Sequence, residues 1–251
     1  MFMKMGINSG GGSCPECRAF FTLKISGELF GECMKAKLFV DRSWSVGDTL
    51  ISFGGGTFRL GETGKPVEVK PFAMAIHPVT NREYEEFDPS HREKRDKYSD
   101  QDDQPVIYVS WKNAVSFCQW LSEKTGQHYR LPTEAEWEFA ASGGGQRKYP
   151  WGNEDPSPKR ANYDESNIGK TTPVGSYPLG RTPEGVFDMA GNAWEWCDDW
   201  YDEDKKECGR VVRGGSFYLN DILLRCAARG WGAPHVWLYV CGFRVVRGPS
   251  L

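Results

Sequence analysis

The sequence predicts an α+β fold of short, irregular elements, and three observations predict it. Gly supplies 29 of the 251 residues and aromatic residues 14%, which describes loops packed by Trp, Tyr and Phe rather than a helical bundle. Three segments carry helix-start signals ahead of apolar residues at helical spacing. The β-prone runs are short and lie among Gly-rich turns.

The first 47 residues differ from the rest. A GINSGGGS lead is followed by Cys14-Pro15-Glu16-Cys17 and two β-prone runs, 19–25 and 38–40. They read as a small N-terminal addition to a main domain at 48–251. Beyond them, 49–53 and 57–60 read as strands around Gly54-Gly55-Gly56, followed by a loop. Thr80 caps a short helix ending at Phe87. The stretch 88–104 is charged and poor in aromatic residues, and reads as a solvated loop with almost nothing to bury. Ser110 caps a stronger helix in which Ala114, Val115, Phe117, Cys118 and Leu121 form an apolar stripe, and Gly126 ends it. Thr133, with Glu136 three residues on, makes a capping box for a third helix. Trp137, Phe139 and Ala140 face inward there, and Gly143-Gly144-Gly145 closes it. From Tyr149, Gly, Pro and Asn recur so often that long regular elements are excluded until Arg210. Val211-Val212 and 243–246 then read as strands. No fixed-period repeat suggests a solenoid or propeller.

Lys plus Arg (31) nearly balance Asp plus Glu (34), and no basic stripe could neutralise a row of phosphates, so nucleic acid is excluded as a partner. No apolar window is long enough for a membrane span, and the N-terminus lacks a signal peptide's continuous apolar run. The expectation is an unprocessed, monomeric cytoplasmic chain. Eight irregularly spaced Cys favour reduced thiols or metal ligation over a disulfide framework. Cys14, Cys17 and Cys33 offer three thiolates to zinc where a structural site takes four, the alternative being a plain turn of unliganded thiols.

Several motifs then coincide in order: PFAMAIHPVTNREYEEF, PVIYVSWKNAVSFCQWLSEKTGQHYRLPTEAEWEFAASGG, YPWGNE, TTPVGSYP, GVFDMAGNAWEWCDDWY, RVVRGGSF, RCAARG and CGFRVVR. Over residues 48–247 they resemble the formylglycine-generating-enzyme (sulfatase-modifying factor) domain, which implies an irregular, loop-rich variant of the C-type lectin fold. Fold does not fix function, because the family implied holds copper oxidases, iron enzymes and pure binding proteins. The oxidases carry two cysteines between the RGGS and RCAAR motifs, and here that interval, 217–224, holds none. His77, His91, His128 and His235 are too scattered for a three-His iron site. Cys226 and Cys241 are the only thiols near the interval.

The C-terminal part also resembles the variable proteins of diversity-generating retroelements. Arg213, Gly214, Gly215, Ser216, Leu224, Arg225, Ala227, Arg229, Pro234, Gly242, Phe243 and Arg244 match that resemblance's fixed positions. Positions implied to vary hold Tyr218, Leu219, Leu223, Ala228, Gly230, Gly232, Ala233, Val236, Leu238, Tyr239 and Val240, with Ile222, Trp231, His235 and Trp237 beside them. Adenine-directed change of Asn codons cannot make Lys, Glu, Gln or Met, and 217–241 contains none of these, an outcome with a chance of about one per cent. Trp231 and Trp237 fall where the resemblance implies Arg, whose AGG codon becomes TGG by one adenine change. The stretch lacks periodicity and mixes rigid aromatics with Gly and Ala, as paratopes do.

The expectation is therefore a non-catalytic ligand-binding protein. Its partner is a protein or other macromolecular surface, and it requires no cofactor. The alternative is a divergent metal-dependent oxidoreductase of the same family. Asn192 and Glu195 offer oxygens that the resemblance links to calcium, together with the loop Ala161-Asn162-Tyr163. Their competing reading is as buried hydrogen-bonding partners. Trp194 and Trp196 are expected in the core, and Asp198, Asp199 and the acidic residues 202–204 in a solvated turn.

Overall fold

A computed structural model describes residues 49–202, 204 and 209–248 of the chain. The N-terminal addition and the candidate zinc ligands Cys14, Cys17 and Cys33 lie outside the described residues. Strands β1 (Leu50–Phe53), β2 (Gly56–Leu60), β3 (Lys65–Val69) and β4 (Phe72–Ala75) come first. They are followed by β5 (Tyr129–Arg130), β6 (Trp194–Trp200), β7 (Arg210–Arg213), β8 (Arg229–Gly232), β9 (Cys241–Gly242) and β10 (Val246–Arg247). One sheet has the order β1-β4-β10-β5 and is antiparallel throughout. A second runs β8-β7-β6-β9 with β9 parallel to β6, and β2 and β3 form a separate hairpin.

The three helices begin where their caps predict. For α1 (Asn81–Phe87), the Thr80 N–H donates to Glu83 Oε2 at 2.7 Å and the Glu83 N–H donates back to Thr80 Oγ1. Ser110 and Asn113 make the same reciprocal pair at the start of α2 (Trp111–Thr125), which ends on Gly126 in a left-handed conformation. Thr133 and Glu136 do so for α3 (Glu134–Ser142). A 3-10 turn, Pro89–Lys94, follows α1 within the stretch that reads as a loop.

Departures from the sequence reading have local causes. β3 and β4 occupy what reads as loop, and β4 is buried at all four residues, so it shows no alternation to detect. Seven-residue β6 lies in the region where the sequence excludes long elements, because the Gly and Pro density of 149–193 stops just before it. In 243–246 only Val246 joins a strand; the carbonyls of Phe243 and Val245 instead accept from the N–H groups of Val79 and Ala75 at 2.9 and 3.0 Å. Asp199 is no free turn residue, since its carboxylate accepts the Glu134 N–H at 2.6 Å and holds the start of α3.

Two cores flank the second sheet. The α2 stripe packs with Tyr84, Trp194, Trp196, Val212 and Phe243 in one. Trp137 of α3 packs with Phe53, Phe72, Met74 and Val211 in the other. Trp194 and Trp196 are both buried, as expected, and the Trp196 indole donates to the Val109 carbonyl at 3.0 Å.

Candidate functional site

Fixed ends define the stretch 217–241. At its start, Arg213 is fully buried, donates to Glu134 Oε1 at 3.0 Å and to Glu138, and also donates to the Cys226 carbonyl at 2.6 Å. One guanidinium thereby ties the RGGS and RCAAR motifs together and holds both to α3. At its end, Arg244 donates to both oxygens of Glu195 at 2.6 Å, and the Trp137 indole donates to Glu195 Oε2 at 2.7 Å. Buried charges persist only when paired in this way.

Between these clamps the stretch divides by burial. Phe217 and Leu224 are core residues that pin the first loop, and the Phe217 N–H donates to the Asn192 carbonyl at 3.1 Å. Tyr218 is 60% exposed, Ile222 57%, Trp231 57% and Trp237 58%. Val236 and His235 are exposed as well. Leu219, Leu223, Leu238 and Val240 are half-buried against the α2 core. Tyr239 and Ala233 are also half-buried.

Two candidate contact positions need correction, because Ala228 and Gly232 are buried and cannot meet a ligand directly. Gly230 and Gly232 both turn toward the Trp194 and Trp196 rings, and a Cβ on Gly232 would lie 2.5 Å from Cη2 of Trp196. Strand alternation then places Trp231, opposite Val211, on the other face of the sheet from the two glycines. Trp231 and the two glycines therefore do not share one face.

The larger group centres on four rings. Tyr239 lies 5.0 Å from Tyr98 and 6.1 Å from Tyr218 between ring centroids, and Phe217 lies 5.8 Å from Tyr98. Tyr98 and its neighbours come from the stretch that reads as a solvated loop, which is the scaffold-side wall that sequence reasoning misses. Asp96 organises it, accepting the Tyr98 N–H at 2.9 Å and the Tyr108 hydroxyl at 2.8 Å. Tyr108 has φ 59°, a left-handed backbone uncommon for a bulky side chain, and its N–H donates to the Leu238 carbonyl at 3.1 Å. Burial first, and then Asp96, raises the Tyr108 phenol pKa above its ordinary value. The one signal in the sequence is Tyr98 itself, a lone aromatic amid charges. Replacing Tyr218, Trp231 and Trp237 together with Ser is expected to shift unfolding free energy by less than about 1 kcal/mol in urea titration, and a loss of several kcal/mol would make them core residues.

The donor sets do not fit the metals that the family implies. Copper would need two thiolates near 217–224. Cys226 and Cys241 are buried in different cores, and burial pushes the Cys226 thiol up to about 12 and Cys241 well above its ordinary value. His91 sits in the Pro89–Lys94 turn, and His77, His128 and His235 lie in separate loops and turns. The two side chains linked to calcium, Asn192 and Glu195, are engaged by protein partners, as their competing reading has it. Both Glu195 oxygens are taken by Arg244 and Trp137, whereas Asn192 Oδ1 accepts from the Thr172 N–H at 2.9 Å and Asn162 Nδ2 at 3.2 Å in a separate amide network. Among the described residues, no group of three or more His, Cys, Asp or Glu gathers to hold a metal, and no helix is long and apolar enough to cross a membrane.

Residues 36–249 match the sulfatase-modifying factor enzyme 1-like domain. The chain is 34% identical over 215 residues to the serine/threonine-protein kinase pkn1 of Chlamydia caviae, covering 70% of this chain and 33% of that protein. It is 33% identical to the formylglycine-generating enzyme of Thermomonospora curvata, with coverages of 60% and 58%. The chain thus spans from a third to somewhat over half the length of these relatives. Its fold matches that of Treponema denticola variable protein 1 with a TM-score of 0.69 at 23% identity, over 82% of this chain and 98% of that one. Sequence match and fold agree: the chain belongs to the sulfatase-modifying factor enzyme 1-like family and has its C-type lectin-like fold.

Proposed function

We propose that this protein is a non-catalytic ligand-binding domain whose contact surface is the Tyr98, Tyr218, Tyr239 and Trp237 patch, supplied mainly by a retroelement-diversified stretch. The observation that carries the reading is the exposure of Tyr218, Trp231 and Trp237 between two rigid clamps, in a stretch whose segment 217–224, where the resemblance places the oxidases' two cysteines, holds none. Such a scaffold lets exposed side chains change without loss of the fold. The fold shared with a protein named a variable protein is consistent with that use.

Diversification predicts a near-copy of the 3′ coding end beside a reverse transcriptase gene, differing mainly at adenines. For the chemistry, a Cys-containing sulfatase peptide incubated with copper-loaded protein and oxygen is expected to keep its mass. Aldehyde formation abolished by Cys226→Ser or Cys241→Ser would instead establish the oxidoreductase alternative.

A further inference from the structure

Among the described residues, two cations border the aromatic patch without acidic partners. Lys94, half-buried at the end of the Pro89–Lys94 turn, holds its ammonium 4.7 Å from the centroid of the Trp237 ring. Lys97, exposed, holds its own 4.8 Å from that of Tyr98. Neither forms an ion pair with those residues, although Lys124 and Lys170 do. Of the other charges on this segment, Arg95 is neutralised by Glu85 and Asp102. Asp96 accepts from Tyr98 and Tyr108, Asp100 pairs with Lys170, and Asp88, Glu93 and Asp103 form no ion pair with either lysine among the described residues.

An ammonium moved out of water without a counter-charge costs free energy that a ring face offsets only in part. Buried His91 is held below its ordinary pKa first by desolvation and next by Lys94, with Asp88 and Glu85 acting the other way. The cations stand beside Trp237 and Tyr98, with the exposed aliphatics Val236 and Ile222 on the same variable stretch.

We propose that this surface binds an acidic segment of another protein, Asp or Glu carboxylates meeting Lys94 and Lys97 while aliphatic side chains pack on Trp237 and Tyr218. The proposal rests on the binding-surface reading above. It assigns a division of labour within it. The lysines belong to the scaffold, so a preference for negative charge is fixed, and the variable residues select among acidic partners. Electrostatic complementarity of this kind acts on encounter and on exclusion of wrong partners. A protein segment is favoured over an acidic glycan because Val236 and Ile222 add aliphatic surface that suits apolar side chains.

The test is selection of an unbiased random-peptide library on the full chain, with the Tyr218→Ser/Trp237→Ser chain as counter-target. Enriched peptides are expected to carry Asp or Glu beside Leu, Ile or Val. Their affinity, read by fluorescence anisotropy, is expected to fall about tenfold in Lys94→Glu/Lys97→Glu and to weaken as salt rises. Lys94→Gln/Lys97→Gln should lie between, with thermal unfolding of both variants near that of the parent. Neutral or basic peptides that still require Tyr218 and Trp237 would overturn the acidic preference and leave the binding surface standing. No enrichment over the counter-target together with no lysine-dependent binding of polygalacturonate would overturn both. Lysine-dependent binding of polygalacturonate, with no peptide selected, would overturn the protein partner in favour of a glycan.

Discussion

Replacing Glu195 with Ala is expected to destabilise the domain by about 3–5 kcal/mol, the cost of breaking a buried charge pair from one side. Glu195 is fully buried and both its oxygens are used, by Arg244 at 2.6 Å twice and by the Trp137 indole at 2.7 Å. The Ala variant strands a guanidinium and an indole N–H together. Arg244 has further work that fixes its position, donating to the Ala75 and Phe187 carbonyls at 3.1 and 2.9 Å. It cannot swing to water, because it is itself fully buried. Against a typical domain stability of about 5–15 kcal/mol, the loss is severe. Glu195→Gln should recover only part of it, since one amide oxygen cannot receive all three donors. Pairing the change with Arg244→Met should cost less than the two single changes summed, because no lone charge then remains buried. Urea titration of the four proteins decides it, and a Glu195→Ala cost below about 1 kcal/mol would show that the pair is not what closes this part of the fold.

Much of this arrangement is legible in the amino-acid sequence, and the illegible part has definite physical causes. All three helix starts can be read because a capping residue and its reciprocal partner lie three residues apart, so the signal is wholly local. β4 cannot, since Phe72–Ala75 is buried throughout and its pairing with β1 and β10 is a tertiary fact. The exposed aromatics Tyr218, Trp231 and Trp237 can be named from sequence, but that Trp231 takes the opposite face of β8 from Gly230 and Gly232 depends on the register of β8 against β7, which no composition carries. The scaffold wall escapes for a related reason. A charged segment with one Tyr reads as solvated, yet Tyr98 lies against Phe217 and Tyr239 from the distant end of the chain. Gly230 and Gly232 read as small residues of a variable loop, when their smallness is needed beneath two buried tryptophans.

The packing of Gly232 against Trp196 carries the second large effect. Trp196→Ala should cost about 3–5 kcal/mol, because a fully buried indole leaves both a cavity and an unpaired Val109 carbonyl. Gly232→Ala, which adds a methyl 2.5 Å from Cη2 of the same ring, should cost about 1–3 kcal/mol by overpacking. The ring is held from its other end by the bond to Val109 and cannot retreat without losing it. If the clash is with that six-membered edge, shortening it should relieve it. Trp196→Phe removes the far edge, so Gly232→Ala is expected to be markedly less harmful in that background, with a coupling free energy of about 0.5–3 kcal/mol across the four-protein cycle. Additive costs would mean that Gly232 is constrained by its strand backbone rather than by Trp196, and the position would then be free to carry small side chains in a diversified site.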